Sequence, residues 1–119
     1  MRENLRNSLL ARILEQTKFG SLESGRAFRY NESESRFELK VGDKTCILEV
    51  LQTVDKMYLV HLSIPDSLQG KGHERKLVSA ALNWIREHKL RIVPLCPYVA
   101  KYINRNPKFK FILANRFIF

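Results

Sequence analysis

The stretch SIPDSLQGKGHERKLVSAALNWI, Ser63 to Ile85, constrains the fold more than any other part of the chain. It leaves an apolar, β-leaning segment, crosses Gly70-Lys71-Gly72 and enters a helix in which Leu77, Ala80, Ala81, Trp84, Ile85 and His88 recur at helical spacing. A strand that turns through such a loop into an amphipathic helix is half of a crossover unit, so a helix is expected over 73–88, packed on a sheet. The loop has a second property. The first amides of a helix have no partner inside it, the helix dipole adds partial positive charge there, and glycine lets an anion come close to the backbone. Gly-Lys-Gly alone is a weak phosphate signal, and it is no Walker loop, because no Gly-Lys-Ser/Thr follows at the required spacing.

The segments before the loop read as β-structure. AFRYN is a short strand and ESES a polar turn; RFELKV, Arg36 to Val41, alternates with Phe37, Leu39 and Val41 on one face. Gly42-Asp43 is a tight-turn signal, TCILEVLQT returns as a strand, VDK turns, and MYLVHLSI is the fourth strand. Strands joined by such short turns form an antiparallel meander. Beyond the helix, LRIVPLC is a short buried strand. PYVAKYINR is a second helix, with Pro97 at its first position and Asn106-Pro107 as its stop. Residues 1 to about 18 carry one apolar stripe, Leu5, Leu9, Leu10, Ile13 and Leu14, and read as an added amphipathic helix; FGSLESG is a connector, and KFKFILANRFIF is an apolar, β-leaning tail. The fold class is therefore α/β (α+β): a meander followed by strand–loop–helix–strand–helix.

Composition narrows the function classes. A chain of 119 residues is one domain, and no apolar run approaches the roughly 20 residues a membrane-spanning helix needs. No apolar stretch with a small-residue cleavage site follows the start, and Glu3 and Glu15 argue against an organelle transit peptide. Packing of the N-terminal stripe on the domain or on a second subunit is the expectation, and a homodimer follows from the latter. Cys46 and Cys96 lack metal-ligand spacing and form no disulfide framework, which fits a reduced, cytoplasmic setting without a metal. The net charge is +9, and Lys101, Arg105, Lys108, Lys110 and Arg116 meet no acidic residue after position 100. This excess favours anionic ligands by long-range attraction, beginning with cofactor phosphates. The absence of a nucleic-acid motif, and aromatics not interleaved with the basic residues along the chain, argue against nucleic acid.

Taken together, HLSIPDSLQGKGHERKLVSAALNWIREHKLRIVPLCPYVAKYINRNPKF resembles the short, single-domain branch of the GNAT superfamily of acetyl-coenzyme A-dependent N-acetyltransferases. In that branch a strand carrying His and then Val/Ile-Pro precedes a glycine-rich loop and helix, and a VPLCPYV-like strand and helix follow. The resemblance implies a GNAT-like domain over 26–110, with 1–25 as an extension and connector and 111–119 as a tail. It implies an acyltransferase using acetyl-coenzyme A and an amine acceptor, a small molecule or a protein lysine. Backbone amides of Gln69, Gly70, Lys71, Gly72, His73, Glu74 and Arg75 would hold the cofactor's pyrophosphate. Leu62, Ser63 and Ile64 would pair with its pantetheine arm, and Cys96 would lie near the thioester.

Two residues depart from the pattern. Glu74 stands where the family has Gly or Ala, bringing a carboxylate to an anion site. A like-charge contact at about 4 Å costs roughly 1 kcal/mol in water and several times that when partly desolvated. Ser63 stands where relatives often carry a Glu base. His61, on the same strand face, is the replacement candidate because imidazole titrates near neutrality; a hydrogen-bonded sheet histidine is the alternative. Cys96, at a helix N-terminus where thiolate is favoured, is a packing residue, a pocket lining or an acetyl carrier. Tyr98 and Tyr102 are candidates to protonate a departing thiolate. Cys46 and Trp84 are expected in the core, and His73 is expected exposed in the loop.

Overall fold

The computed structural model describes residues 26–114. The N-terminal stripe and connector, and the last five residues of the tail, lie outside the described residues. Five strands form one sheet in the order β1-β2-β3-β4-β5: β1 Arg26–Asn31, β2 Arg36–Val41, β3 Lys44–Gln52, β4 Lys56–Ser63 and β5 Arg91–Pro94. The first four run antiparallel as neighbours, and β5 lies parallel to β4. The crossover between β4 and β5 is α1, His73–Glu87, and α2, Pro97–Arg105, follows β5. The meander and the strand–loop–helix–strand–helix order expected from the sequence are both present.

Local chemistry accounts for the joints. Gly42 takes φ 63 at the first of the two turn positions between β2 and β3, the place where a two-residue hairpin favours glycine. Asn31 accepts a hydrogen bond from the Glu34 amide at 3.2 Å, which closes the turn after β1. Pro97 opens α2, where its missing N–H leaves nothing unpaired. Asn106 ends it in an extended conformation ahead of Pro107.

One face of the sheet holds the core. Phe37, Leu39, Cys46, Leu48, Met57 and Leu59 pack there against Leu77, Val78, Ala81, Leu82 and Ile85 of α1 and Val99 and Ile103 of α2. Each such aliphatic or aromatic side chain contributes about 1.5–3 kcal/mol when fully removed from water. Trp84 is half-buried at the rim of this core, 4.7 Å from the Tyr30 ring and stacked on His88 at 3.6 Å. His88 is exposed and caps the helix instead of continuing its apolar stripe, because α1 ends at Glu87.

The β-leaning tail forms no strand over its described residues. Pro107–Ile112 winds as a 3-10 segment with Phe109 buried, and Leu113 alone makes a parallel bridge to Ile92 of β5. Pro107, with fixed φ and no N–H to give, starts a tight turn more readily than a ladder.

The opposite sheet face carries a group that periodicity gave no reason to notice. Glu38, between Phe37 and Leu39 but facing the other way, is 8% exposed. Its carboxylate accepts from Arg36 Nε at 2.7 Å, Asn31 Nδ2 at 2.9 Å and Arg29 Nε at 3.1 Å. Burial pushes this carboxyl up, and the hydrogen bonds from Arg36, Asn31 and Arg29 outweigh it, leaving the pKa below the ordinary carboxylate value.

Candidate functional site

β4 sets the geometry. Its pairing with β3 runs Ile47↔Ser63, Leu48↔Leu62 and Glu49↔His61, then slips to Val50↔Leu59. Val60 is the extra residue, a bulge. Val60 and His61 therefore both lie on the outer face with Ser63, while Leu62 returns to the core face beside Leu48. The sequence carried the signal: Leu59 and Leu62 are three apart, where an unbroken strand would space core residues by two.

The bulge coincides with a parting of strands. β4 and β5 pair from Lys56↔Arg91 to Leu59↔Pro94 and no further. The last link is the Cys96 amide donating to the Leu59 carbonyl at 2.8 Å. Past it, Val60 to Ser63 have no β5 partner, so one edge of β4 presents backbone groups to whatever lies beside it. Leu62 and Ile64 are half-buried along this edge and Ser63 is exposed.

The chain then turns through Pro65, with Asp66–Leu68 as a single 3-10 turn and the Gln69 side chain donating to the Ile64 carbonyl at 3.2 Å. Gly70 and Gly72 take φ 77 and φ 88, a region that side chains rarely enter. A Cβ built at Gly70 meets nothing within 4 Å, so the loop is open to an approaching group. Gly72 caps α1 without a side-chain hydrogen bond, which leaves the first-turn amides to outside partners. Lys71 and Arg75 are exposed beside them. These features fit a diphosphate.

His73 overturns its expectation. It is the first residue of α1 and 8% exposed, with a buried Nδ1 that meets no hydrogen-bond partner among the described residues. The reason is helical phase: His73 lies four residues before Leu77 and eight before Ala81, on the stripe that faces the sheet. Only its backbone amide is a candidate contact for an anion.

Glu74 is half-buried, in the row of Val78 and Leu82. Its charge is felt inward: burial and then Glu74 raise the Cys46 pKa, and the same two causes head those that raise the Tyr98 pKa. Arg75 and Arg105 act on Tyr98 in the opposite direction. Tyr98, 38% exposed in the first turn of α2, therefore stands beside the first turn of α1 and holds its phenolic proton. Tyr102 is half-buried, one turn further along α2. Cys96 caps α2 and is 4% exposed; Cys46 is fully buried, and both are free thiols. Cys96 opens α2 at the last link between β5 and β4, and Tyr98 follows in the first turn of α2, within reach of the Glu74 charge. His61 stands on the outer face, opposite Glu49. Among the described residues no cluster of His, Cys, Asp or Glu could hold a metal, and no helix is long and apolar enough to cross a membrane.

A sheet whose parallel pair splays beside a glycine-capped helix is a GNAT-like α/β architecture. Residues 36–112 match the family model for the GCN5-related N-acetyl-transferase, and the chain belongs to that family. It is 30% identical over 93 residues to human Protein NATD1, a match spanning 74% of this chain and 82% of the human protein. With Protein NATD1 of Xenopus tropicalis it is 36% identical over 56 residues, spanning 47% of this chain and 49% of that one. Among solved structures, a Staphylococcus aureus protein described as GCN5-like and determined by NMR superposes with a TM-score of 0.58 at 19% identity. That match covers 76% of this chain and 90% of the other, and it bears on the fold alone.

Proposed function

We propose that this protein is an acetyl-coenzyme A-dependent N-acetyltransferase that moves an acetyl group to an amine. The observation that carries the reading is the unpaired β4 edge beyond Leu59, lying next to the open Gly70–Gly72 loop and the uncapped amides of α1. The backbone of Leu62, Ser63 and Ile64 would hold the pantetheine arm as an added strand, and amides from Gln69 to Arg75 the diphosphate. Bound there, acetyl-coenzyme A would supply an acetyl group activated as a thioester. Holding it beside an amine converts a chance collision into an oriented encounter.

The chain's own residues then divide the proton work across the gap. His61, exposed on the outer face, takes the amine proton directly or through water. Tyr98, with its pKa raised, keeps a proton for the leaving sulfur. Cys96 lines the point where the strands part. Residues 26–110 form the acetyltransferase unit in this reading, with 1–25 and 111–119 as appended segments, and the protein works in the cytoplasm, as a homodimer if the N-terminal stripe pairs with a second copy.

Two residues favour a second reading, a coenzyme A-binding protein with weak catalysis. Ser63 supplies no base and Glu74 places a negative charge at the first helical turn. Calorimetric titration with acetyl-coenzyme A tests what the two readings share, and absence of heat rejects both. Incubation with labelled acetyl-coenzyme A and a panel of amines, followed by mass mapping of Cys96 and the lysines, separates them: binding without transfer leaves only the second.

A further inference from the structure

The fold brings together a second concentration of positive charge, at the end of α1 away from the glycine loop. The helix is 15 residues long, so its two ends lie about 22 Å apart. At the far end Arg86 lies 5.7 Å from the centre of the Phe109 ring, and Lys108 Nζ lies over the same ring at 5.3 Å. Arg91 donates to the Phe111 carbonyl. Lys89, in the turn after α1, and Lys110, in the 3-10 segment, are exposed, and the Phe111 side chain is 82% exposed. Among the described residues none of these five cations forms an ion pair. The nearby acids are Glu87 and Asp55, the latter already matched by Lys56 at 3.4 Å, and no acidic residue follows Glu87.

We infer that this end of the molecule binds single-stranded nucleic acid, with the basic side chains on phosphates and the Phe111 ring stacked on a base. Arg86 and Lys108 are held in place by one buried aromatic ring, so less side-chain freedom is lost when they engage a phosphate. Phe111 is apolar and exposed, follows Lys110 in sequence, and has its carbonyl on Arg91. A protein partner would need a contiguous apolar core with lysine kept to the rim. A membrane surface would need a broad apolar face to insert. A charged groove with an aromatic platform is what a flexible polynucleotide strand uses. Lys108, Phe109, Lys110 and Phe111 alternate along the sequence, against the expectation of poor interleaving, and folding adds Arg86, Lys89 and Arg91 from a different element. The inference stands apart from the acetyltransferase reading, since the surface is remote from the β4–β5 gap.

The test is fluorescence anisotropy of the full chain with a labelled single-stranded oligonucleotide of mixed sequence. Binding at 50 mM salt is expected to weaken roughly 15- to 130-fold at 200 mM, as three to five phosphate contacts require. Phe111→Ala should weaken it about 5- to 150-fold. The double variant K108A/K110A should also flatten the salt dependence, each with the thermal midpoint preserved. The inference is overturned by absence of binding at 50 mM salt, or by variants that bind like the parent. It is equally overturned if poly-glutamate or phosphatidylserine vesicles bind this chain as tightly as the oligonucleotide does.

Discussion

Glu74 and Glu38 are both carboxylates turned away from bulk water, and their surroundings give them opposite consequences. Glu74 has no cation drawn onto it by a hydrogen bond among the described residues, so its charge acts on its neighbours and helps keep the Cys46 thiol and the Tyr98 phenol protonated. Glu74→Gln removes that charge while keeping shape and helix propensity. Its expected effects are a lower Tyr98 pKa, read by NMR titration of the labelled tyrosine, and tighter coenzyme A binding by about 1 kcal/mol, roughly fivefold, by calorimetry. An unchanged dissociation constant would show that the carboxylate never meets the diphosphate. Glu38, in contrast, is surrounded by three donors. Its folded pKa is depressed, so its contribution to stability is complete above the unfolded carboxylate value and disappears as pH falls through the folded one. Glu38→Ala should cost about 1–3 kcal/mol at pH 7, because Arg36 and Asn31 lose their acceptor, and the loss should shrink as the pH falls below the ordinary carboxylate value. Urea denaturation at a series of pH values measures both; a penalty that does not change with pH would mean the side chain matters only for packing.

At the scale of elements, the sequence was most informative where one face meets the core and a turn has its own chemistry. RFELKV and PYVAKYINR coincide with β2 and α2, bounded respectively by Gly42 and by Pro97 and Pro107. Three features escaped it, each for a physical reason. His73 reads as loop because Gly70 and Gly72 just before it suggest irregular chain, whereas helical phase turns it inward. Glu38 reads as the polar half of an alternating strand, and only pairing with β1 brings up Arg29 and Asn31 to join Arg36 of its own strand. The C-terminal segment has β-leaning residues, but Pro107 sets its first dihedral and tertiary contact of Phe109 does the rest. The candidate site was legible as a loop and a strand, whereas its key event, the parting of β4 from β5, coincides with the bulge at Val60, which simple alternation does not announce. Deleting Val60 should restore plain alternation without moving any core residue to the wrong face. The thermal midpoint is therefore expected to hold within a few degrees while acetyl-coenzyme A affinity falls at least tenfold, since the straightened strand no longer diverges. A variant that binds as before would place the origin of the splay elsewhere, most simply at Pro94.

At the scale of the whole molecule, charge and packing pull against each other. A chain of net charge +9 repels itself when compact, and the repulsion is concentrated because every ionisable side chain after Glu87, apart from His88, the tyrosines and Cys96, is a cation. The strongest ion pairing among the described residues is Arg36 and Arg29 on the nearly buried Glu38 carboxylate, at 2.7 and 3.1 Å, contacts so short that salt screens them little. Salt should therefore relieve the repulsion more than it weakens the attraction. The Debye length falls from about 30 Å at 0.01 M to about 8 Å at 0.15 M, shorter than the span of the basic surface but longer than the contacts around Glu38. The midpoint of thermal unfolding at pH 7 is thus expected to rise by a few degrees between 10 and 150 mM sodium chloride, followed by calorimetry. In Glu38→Ala the rise should be larger, because loss of an acid raises the net positive charge and Arg36 loses the carboxylate 2.7 Å away. A midpoint that falls with salt in the parent chain would mean that surface attractions outweigh the net charge. The basic end of α1 would then be balanced by acidic groups of the intact chain, and its availability to an anionic strand would be lost with that balance.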